Sequence, residues 1–217
     1  MKTIRLNSLF ILFSLAISLI SAFGSLLYVI EPLSFLSFEI SETFSKYLSF
    51  YSLNETYFIN NEWWRLITPI FIHFSLIHLV FNCLWVYVLG QQIEIQDGKL
   101  LFLILMIVSG VSGNFAQYLD SGPSLFGGLS GCVYGMFGYT LIIELQTNRN
   151  KYGLPPAIYI FMIAWLILGF LGILNLFGFG NIANFAHLGG LISGLVMAMV
   201  VIAFKKIMYL NINHEKN

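Results

Sequence analysis

The stretch Leu125-Phe126-Gly127-Gly128-Leu129-Ser130-Gly131-Cys132-Val133-Tyr134-Gly135 reads as a glycine-rich loop that turns abruptly into a helix, with a serine at the junction. Glycine lets a backbone turn sharply and approach its neighbours closely. A serine at such a junction presents its hydroxyl beside the unpaired N–H groups of a helix N-terminus. Two readings are open from this stretch alone. Ser130 is a nucleophile that needs a base, or the segment is a packing patch of small residues in a membrane helix, their commoner use there. The rest of the chain favours the first.

Outward from this stretch the sequence is strongly apolar. Of its 217 residues 58% are hydrophobic and 9% charged, whereas an ordinary soluble domain is about 25% charged. The apolar residues fall in six runs, at 9–30, 66–90, 100–119, 127–144, 155–175 and 183–204. A span needs about 20 residues to cross about 30 Å of hydrocarbon. The expected fold is therefore all-α, a polytopic six-transmembrane-helix bundle forming a single membrane domain over 1–217, with the lipid bilayer as its solvent. The formal net charge is zero, and nothing in it points to a nucleic acid partner. Cys83 and Cys132 lie inside apolar runs and read as small packing residues, with one disulfide left open. The first run follows Lys2 and Arg5 as a secretory signal would. Its length exceeds the roughly 7–15 residues of a signal's apolar region, so it reads as a retained anchor.

Residues 31–65 form a long aromatic-rich loop, expected to lie in the outer membrane interface. Arg65 beside Trp64 reads either as an anchor bonding loop carbonyls or as a snorkelling arginine at a helix start. With the N-terminus inside, Lys2, Arg5, Lys99, Arg149, Lys151, Lys205, Lys206 and Lys216 fall on the inner side, and Lys46 and Arg65 on the outer. That bias sets both termini in the cytoplasm. The fourth span is short. From the polar Gln146 at its inner end up to Ser130 is about 22 Å at 1.5 Å per residue. Ser130 then lies about 8–10 Å below the outer surface of a roughly 30 Å core. Non-helical backbone at that depth must be shielded by protein or line a water-filled cavity.

No Asp, Glu, Lys or Arg falls within a span interior, yet His73, His78 and His187 do. Intramembrane ionisable residues are costly and usually functional. His78 and Asn82, four apart, share a helical face. On a continuous helix His73 would sit about 140° away from His78. Each histidine also reads as an interhelical hydrogen-bond partner. Ala183, His187, Gly190 and Gly194 fall on one face of span six, and Gly131-x-x-x-Gly135 makes a matching surface on span four. If the two surfaces meet, His187 comes within reach of Ser130. Three histidines suit zinc, but the His73–His78 spacing splays that pair and no carboxylate is near, so no metal and no cofactor is expected.

These residues resemble the rhomboid intramembrane serine proteases, in particular the bacterial six-helix form. The matching pieces are Trp64-Arg65, His73…His78…Asn82, Gly128-Leu129-Ser130-Gly131 with Tyr134, and Ala186-His187-x-x-Gly190-x-x-x-Gly194. They run in the family's order, from about Glu62 to about Leu195. The resemblance implies a catalytic dyad of Ser130 as nucleophile and His187 as general base. It implies that Tyr134 packs on the His187 ring, and that His78, Asn82 and the Ser130 backbone N–H form an oxyanion hole. It implies transmembrane protein substrates, and a place in the bacterial plasma (inner) membrane. Pro69 departs from the polar residue that some bacterial members carry, and the soluble N-terminal domain of some relatives has no counterpart in the sequence. Spans two and five are expected to border substrate access, with Gly178-Phe179-Gly180 as a movable cap.

Two other classes compete. A non-catalytic rhomboid-like protein that binds membrane clients would usually have lost the Ser or the His, and both are present. A transporter would more often show paired repeats and charged midplane residues, and neither is found. The orientation is directly testable. A cysteine placed at Asn217 should be labelled only from the cytoplasmic side and one at Ser121 only from outside; the reverse pattern would invert the topology.

Overall fold

The computed structural model of the protein describes residues 5–40, 47–147, 150–177 and 182–214. Six principal helices make an all-α membrane bundle. They are α1 (Leu6–Ile20), α2 (Leu76–Gln96), α3 (Lys99–Ser121), α4 (Ser130–Thr147), α5 (Pro156–Phe170) and α6 (Asn184–His214). Helices α2, α3 and α6 are long and apolar enough to cross a membrane, and α1 and α5 are shorter apolar helices. The expected cap at Gly178-Phe179-Gly180 lies outside the described residues.

Helix α4 is the axis. Every residue from Gly128 to Thr140 is buried, which explains why this span carries no polar stripe. Around it, α3 turns inward a stripe of small and amide-bearing residues: Ser109, Gly110, Gly113, Asn114 and Gln117. The opposite wall is α6, and its contact with α4 is backbone on backbone. A Cβ at Gly190 would fall inside the Gly131 carbonyl, and one at Gly194 inside that of Gly135. A Cβ at Gly138 would lie 2.7 Å from the Leu191 carbonyl oxygen. The two glycine surfaces anticipated from the sequence do face each other. Outside this core, Leu19, Val80, Leu84, Ile160, Ile167 and Val200 point outward, as lipid-facing residues must.

Several boundaries differ from expectation. Span six, expected at 183–204, runs as helix to His214, and span two, expected to end at 90, runs to Gln96. Three further boundaries are broken or shortened. Span one, expected at 9–30, is continuous helix only to Ile20, with a separate short helical turn at Leu27–Ile30. Ala22, Phe23 and Gly24 then adopt positive φ, and a Cβ at Gly24 would strike the Phe74 ring. Span two, expected from residue 66, begins as an α-helix only at Leu76. Residues Trp63–Leu66 and Thr68–Phe71 form tight 3₁₀ turns instead, because Pro69 supplies no N–H and restricts the residue before it. Ser75 then caps α2, its Oγ accepting from the His78 N–H at 3.2 Å. Span five, expected to reach residue 175, ends at Phe170, where Gly172 takes positive φ.

The 31–65 loop is more structured than an interfacial coil. It holds a small antiparallel hairpin, β1 (Phe38–Ile40) with β2 (Leu48–Phe50), Phe38 opposite Phe50. Phe35 is the hub of its own aromatic cluster, its ring 5.3–5.7 Å from those of Tyr57, Phe115, Tyr118 and Phe126. Tyr47, Phe58, Trp63 and Trp64 stay exposed and suit the interface. Arg65 does anchor the loop. Only 2% exposed, it pairs with Glu31 and Glu62 at 2.7 Å each and donates to the Glu31 and Ser34 carbonyls. At the opposite end of the bundle, the buried Glu94 carboxylate accepts the Leu6 and Asn7 N–H groups of α1, both at 3.0 Å. An anion is at home on a helix N-terminus, so this bond fixes α1 against α2.

The glycine contact makes a stability prediction. Gly194→Ala and Gly190→Ala should each lower the thermal midpoint in detergent, since overpacking costs about 1–3 kcal/mol and more when the obstacle is backbone. Gly153→Ala, where nothing lies within 4 Å, meets no such obstacle and should cost less despite its positive φ.

Candidate active site

The loop before α4 threads between two irregular segments. The Gly128 N–H donates to the Pro69 carbonyl at 3.1 Å. A Cβ at Gly127 would lie 2.7 Å from that same oxygen. Gly128 has φ +119°, and a Cβ there would lie 2.7 Å from the His78 ring and 3.2 Å from the Asn82 amide nitrogen. Only glycine fits both positions. The loop is thereby pressed against His78 and Asn82 and delivers Ser130 as the first residue of α4. At that position the Ser130 N–H is one of the donors that no carbonyl of its own helix reaches. The residue is 8% exposed.

A narrow cleft opens beside it, lined by His78, Asn82, Ser130, Tyr134, Ile182 and by residues of α2 and α5. Thus four of the residues singled out from the sequence converge on one space. The fifth, His187, sits in the first turn of α6, 5% exposed, and stacks on the Tyr134 ring with centroids 4.7 Å apart and planes 25° off parallel. Its Nδ1 is buried and has no hydrogen-bond partner among the described residues. The start of α6 is held from α3, where Gln117 Oε1 accepts the Ala186 N–H at 3.2 Å. Gly131 packs under Ala186, 3.3 Å from a notional Cβ to that carbonyl. Gly190 and Gly194, the other glycines of the site, make the backbone contact already described.

His73 behaves differently from its sequence reading. It lies ahead of α2, so the helical angle to His78 does not apply. Its Nδ1 faces the Phe71 carbonyl at 3.2 Å, and its Nε2 faces the Asn82 amide nitrogen at 3.1 Å and the Leu129 N–H at 3.4 Å. The carbonyl requires the proton on Nδ1, which leaves Nε2 as acceptor. His73 therefore fixes the Asn82 amide and the loop before Ser130 together. No sequence spacing pointed to this, because it depends on the break in the second span. A second group missed from the sequence is the aromatic wall of the cleft. Phe81 stacks on Trp165 at 4.6 Å and Trp85 on Phe161 at 5.7 Å. The signal was present: an aromatic pair spaced i, i+4 on each of spans two and five.

Comparison with known proteins identifies the family. The family model described as Rhomboid domain matches residues 60–204. The chain is 43% identical over 135 residues to the Rhomboid protease GlpG of Yersinia pseudotuberculosis serotype I (strain IP32953), covering 62% of this chain and 47% of the relative. The protein of the same name from Yersinia pestis (strain Pestoides F) matches to the same extent. That of Photorhabdus laumondii is 41% identical over 138 residues, covering 64% of this chain and 47% of the relative. The chain thus spans about half the length of these curated relatives. The match takes in the loop before α4, the cleft and both glycine surfaces, and the chain belongs to the rhomboid family.

Proposed function

We propose that the protein is an intramembrane serine endopeptidase that cleaves transmembrane or juxtamembrane segments of membrane proteins. The observation that carries this reading is the cleft itself: a serine hydroxyl at a helix N-terminus, with His78 and Asn82 beside it and a histidine-bearing helix held against it by glycine. In this reading Ser130 Oγ attacks the scissile carbonyl carbon and its proton passes to His187 Nε2. The carbonyl oxygen becomes an oxyanion, met by the Ser130 N–H, by the Asn82 amide and by His78. The intermediate then collapses, and the leaving amine takes the proton from His187. Water completes the cycle by releasing the acyl group from Ser130, with His187 again as base.

The environment suits this dyad. Among the described residues no carboxylate is seen to orient His187, and the Tyr134 face takes that place. A ring face also stabilises the imidazolium that forms during attack. His73, by holding one N–H of Asn82, leaves the other to face the oxyanion. Irregular backbone at 69–75 and 125–129 is wrapped by protein, as membrane depth requires. The narrow cleft favours small residues at the scissile bond. Substrate would reach it between α2 and α5, and its helix must unwind locally to expose a carbonyl. The Lys and Arg bias supports a cleft toward the outer side with both termini cytoplasmic, and the bacterial relatives support a plasma (inner) membrane.

The test is labelling of the detergent-solubilised protein by a fluorophosphonate probe, together with cleavage of a transmembrane substrate. Ser130→Ala should abolish both while the protein still folds, and His187→Ala should abolish cleavage. Substantial proteolysis by purified Ser130→Ala protein would overturn the assignment. Asn82→Ala should lower kcat by about 10²–10³, the usual loss of one oxyanion donor, with little change in KM because the contact is made mainly in the transition state. A near-normal kcat with a lowered thermal midpoint would make Asn82 interhelical glue.

A further inference from the structure

At the end of the bundle away from Ser130, α4 and the start of α5 part around an open recess of about 430 Å³. Its walls are mostly apolar, with Leu141, Leu145 and Pro156 among them, and its polar groups are Glu144, Asn150 and Tyr159. Glu144 stands on the last turn of α4, about 21 Å along the helix from Ser130 at 1.5 Å per residue. Its carboxylate is committed on one side. Oε1 accepts the Tyr152 N–H at 3.1 Å, which folds the loop after α4 back over the helix end. No cation among the described residues pairs with it. Lys151, and Lys205 from α6, turn to Asp97 instead. Tyr159 is a second group left over. It is 9% exposed, and its hydroxyl is buried beside Thr140 and Glu144 with no hydrogen-bond partner among the described residues. The Thr140 hydroxyl already donates to the Phe137 carbonyl at 3.1 Å.

A carboxylate and a phenol oxygen at one recess suit a ligand that carries positive charge and several N–H donors. A primary ammonium has three such donors, and its hydrogen bonds to a carboxylate are about twice as strong as neutral ones. A trimethylammonium has the charge but no N–H, and a phosphate would be repelled by Glu144. What lies beyond the recess says what carries the ammonium. Pro156, Ile160, Ile163 and Ile167 recur at i, i+4, i+7 and i+11, on one face of α5. The three isoleucines are 46–70% exposed. This apolar strip leads from the recess for about 16 Å along α5 on its lipid-facing side. A soluble amine has no use for it, whereas a hydrocarbon chain does.

We propose that this recess seats the headgroup of an aminophospholipid. The primary ammonium meets Glu144 and the Tyr159 hydroxyl, the phosphate turns outward to the exposed Asn150 amide, and an acyl chain lies along the α5 strip. The site shares no residue with the cleft at Ser130, and the proposal stands apart from the protease reading.

The test is titration of the detergent-solubilised chain with dioctanoyl phosphatidylethanolamine, read by native mass spectrometry as the fraction carrying one lipid. Phosphatidylcholine and phosphatidylglycerol of the same chain length lack charged N–H donors and should bind about tenfold more weakly or worse. Glu144→Gln should weaken binding of the ethanolamine lipid by about tenfold or more and remove the headgroup preference. Tyr159→Phe should weaken it by about two- to tenfold. Should Glu144→Gln fail to fold, judged by its thermal midpoint without lipid, Tyr159→Phe carries the test. Equal binding of the three headgroups, or an unchanged preference in the variants, would overturn the proposal. So would free ethanolamine binding as tightly as the lipid, since the apolar strip would then contribute nothing. Arg149, five residues after Glu144 and outside the described residues, is the chain's own rival for the carboxylate. Binding that emerges only in Arg149→Gln would make Glu144 half of an intrachain ion pair and would also overturn the proposal.

Discussion

Backbone contact between α4 and α6 sets the geometry of everything near Ser130. In a bilayer, helices gain little by hiding apolar surface from lipid, and packing density and hydrogen bonds hold them together. Gly131 against Gly190 and Gly135 against Gly194 bring carbonyls and α-carbons into direct contact. Ser130 precedes the first of these glycines by one residue and His187 precedes Gly190 by three. Their separation is therefore governed by how close two backbones come. Proton transfer needs heavy atoms about 2.6–3.2 Å apart. A single methyl group between the helices would move the two residues apart by a comparable margin. Gly113 and Gly189 extend the same logic to α3, which closes the junction from the other side.

A second constraint is that each polar group taken into the bundle must find a partner there. Arg65 does so through two carboxylates and loop carbonyls, and in return holds a long loop to the bundle. Glu94 does so on the free N–H groups of α1. His73 does so on Phe71, Asn82 and Leu129. Apart from the local partners Glu62 and Phe71, each is distant in sequence or lies across a break in a helix, so these bonds tie together parts of the fold that apolar packing alone would leave free to slide. Several buried groups among the described residues stay without a partner, and two of them lie near the site. His187 Nδ1 and Asn184 Oδ1 are both buried and unpaired. The first belongs to a ring oriented by stacking, the second to an amide whose nitrogen donates to the Gly169 carbonyl.

Much of the fold and of the candidate site was legible in the sequence. Six apolar runs implied six helices. The glycines spaced by four implied close-packed faces. Tyr134, one turn after Ser130, stood where it could meet His187. These features are local or periodic, so residue spacing carries them. What spacing could not carry was set by breaks and by partners from elsewhere. The first span stops at Ile20 and the second starts at Leu76, because turns with positive φ and a proline interrupt apolar runs that look continuous. That break takes His73 off the helix and onto Asn82. The carbonyls that Arg65 finds, the Glu94 cap on α1 and the Asn184 contact with Gly169 join residues from 15 to 88 positions apart. Hydropathy and helical period determine which segments cross the membrane. Only tertiary packing decides which buried donor meets which acceptor, because in a medium without water that pairing is chosen by proximity in the folded chain.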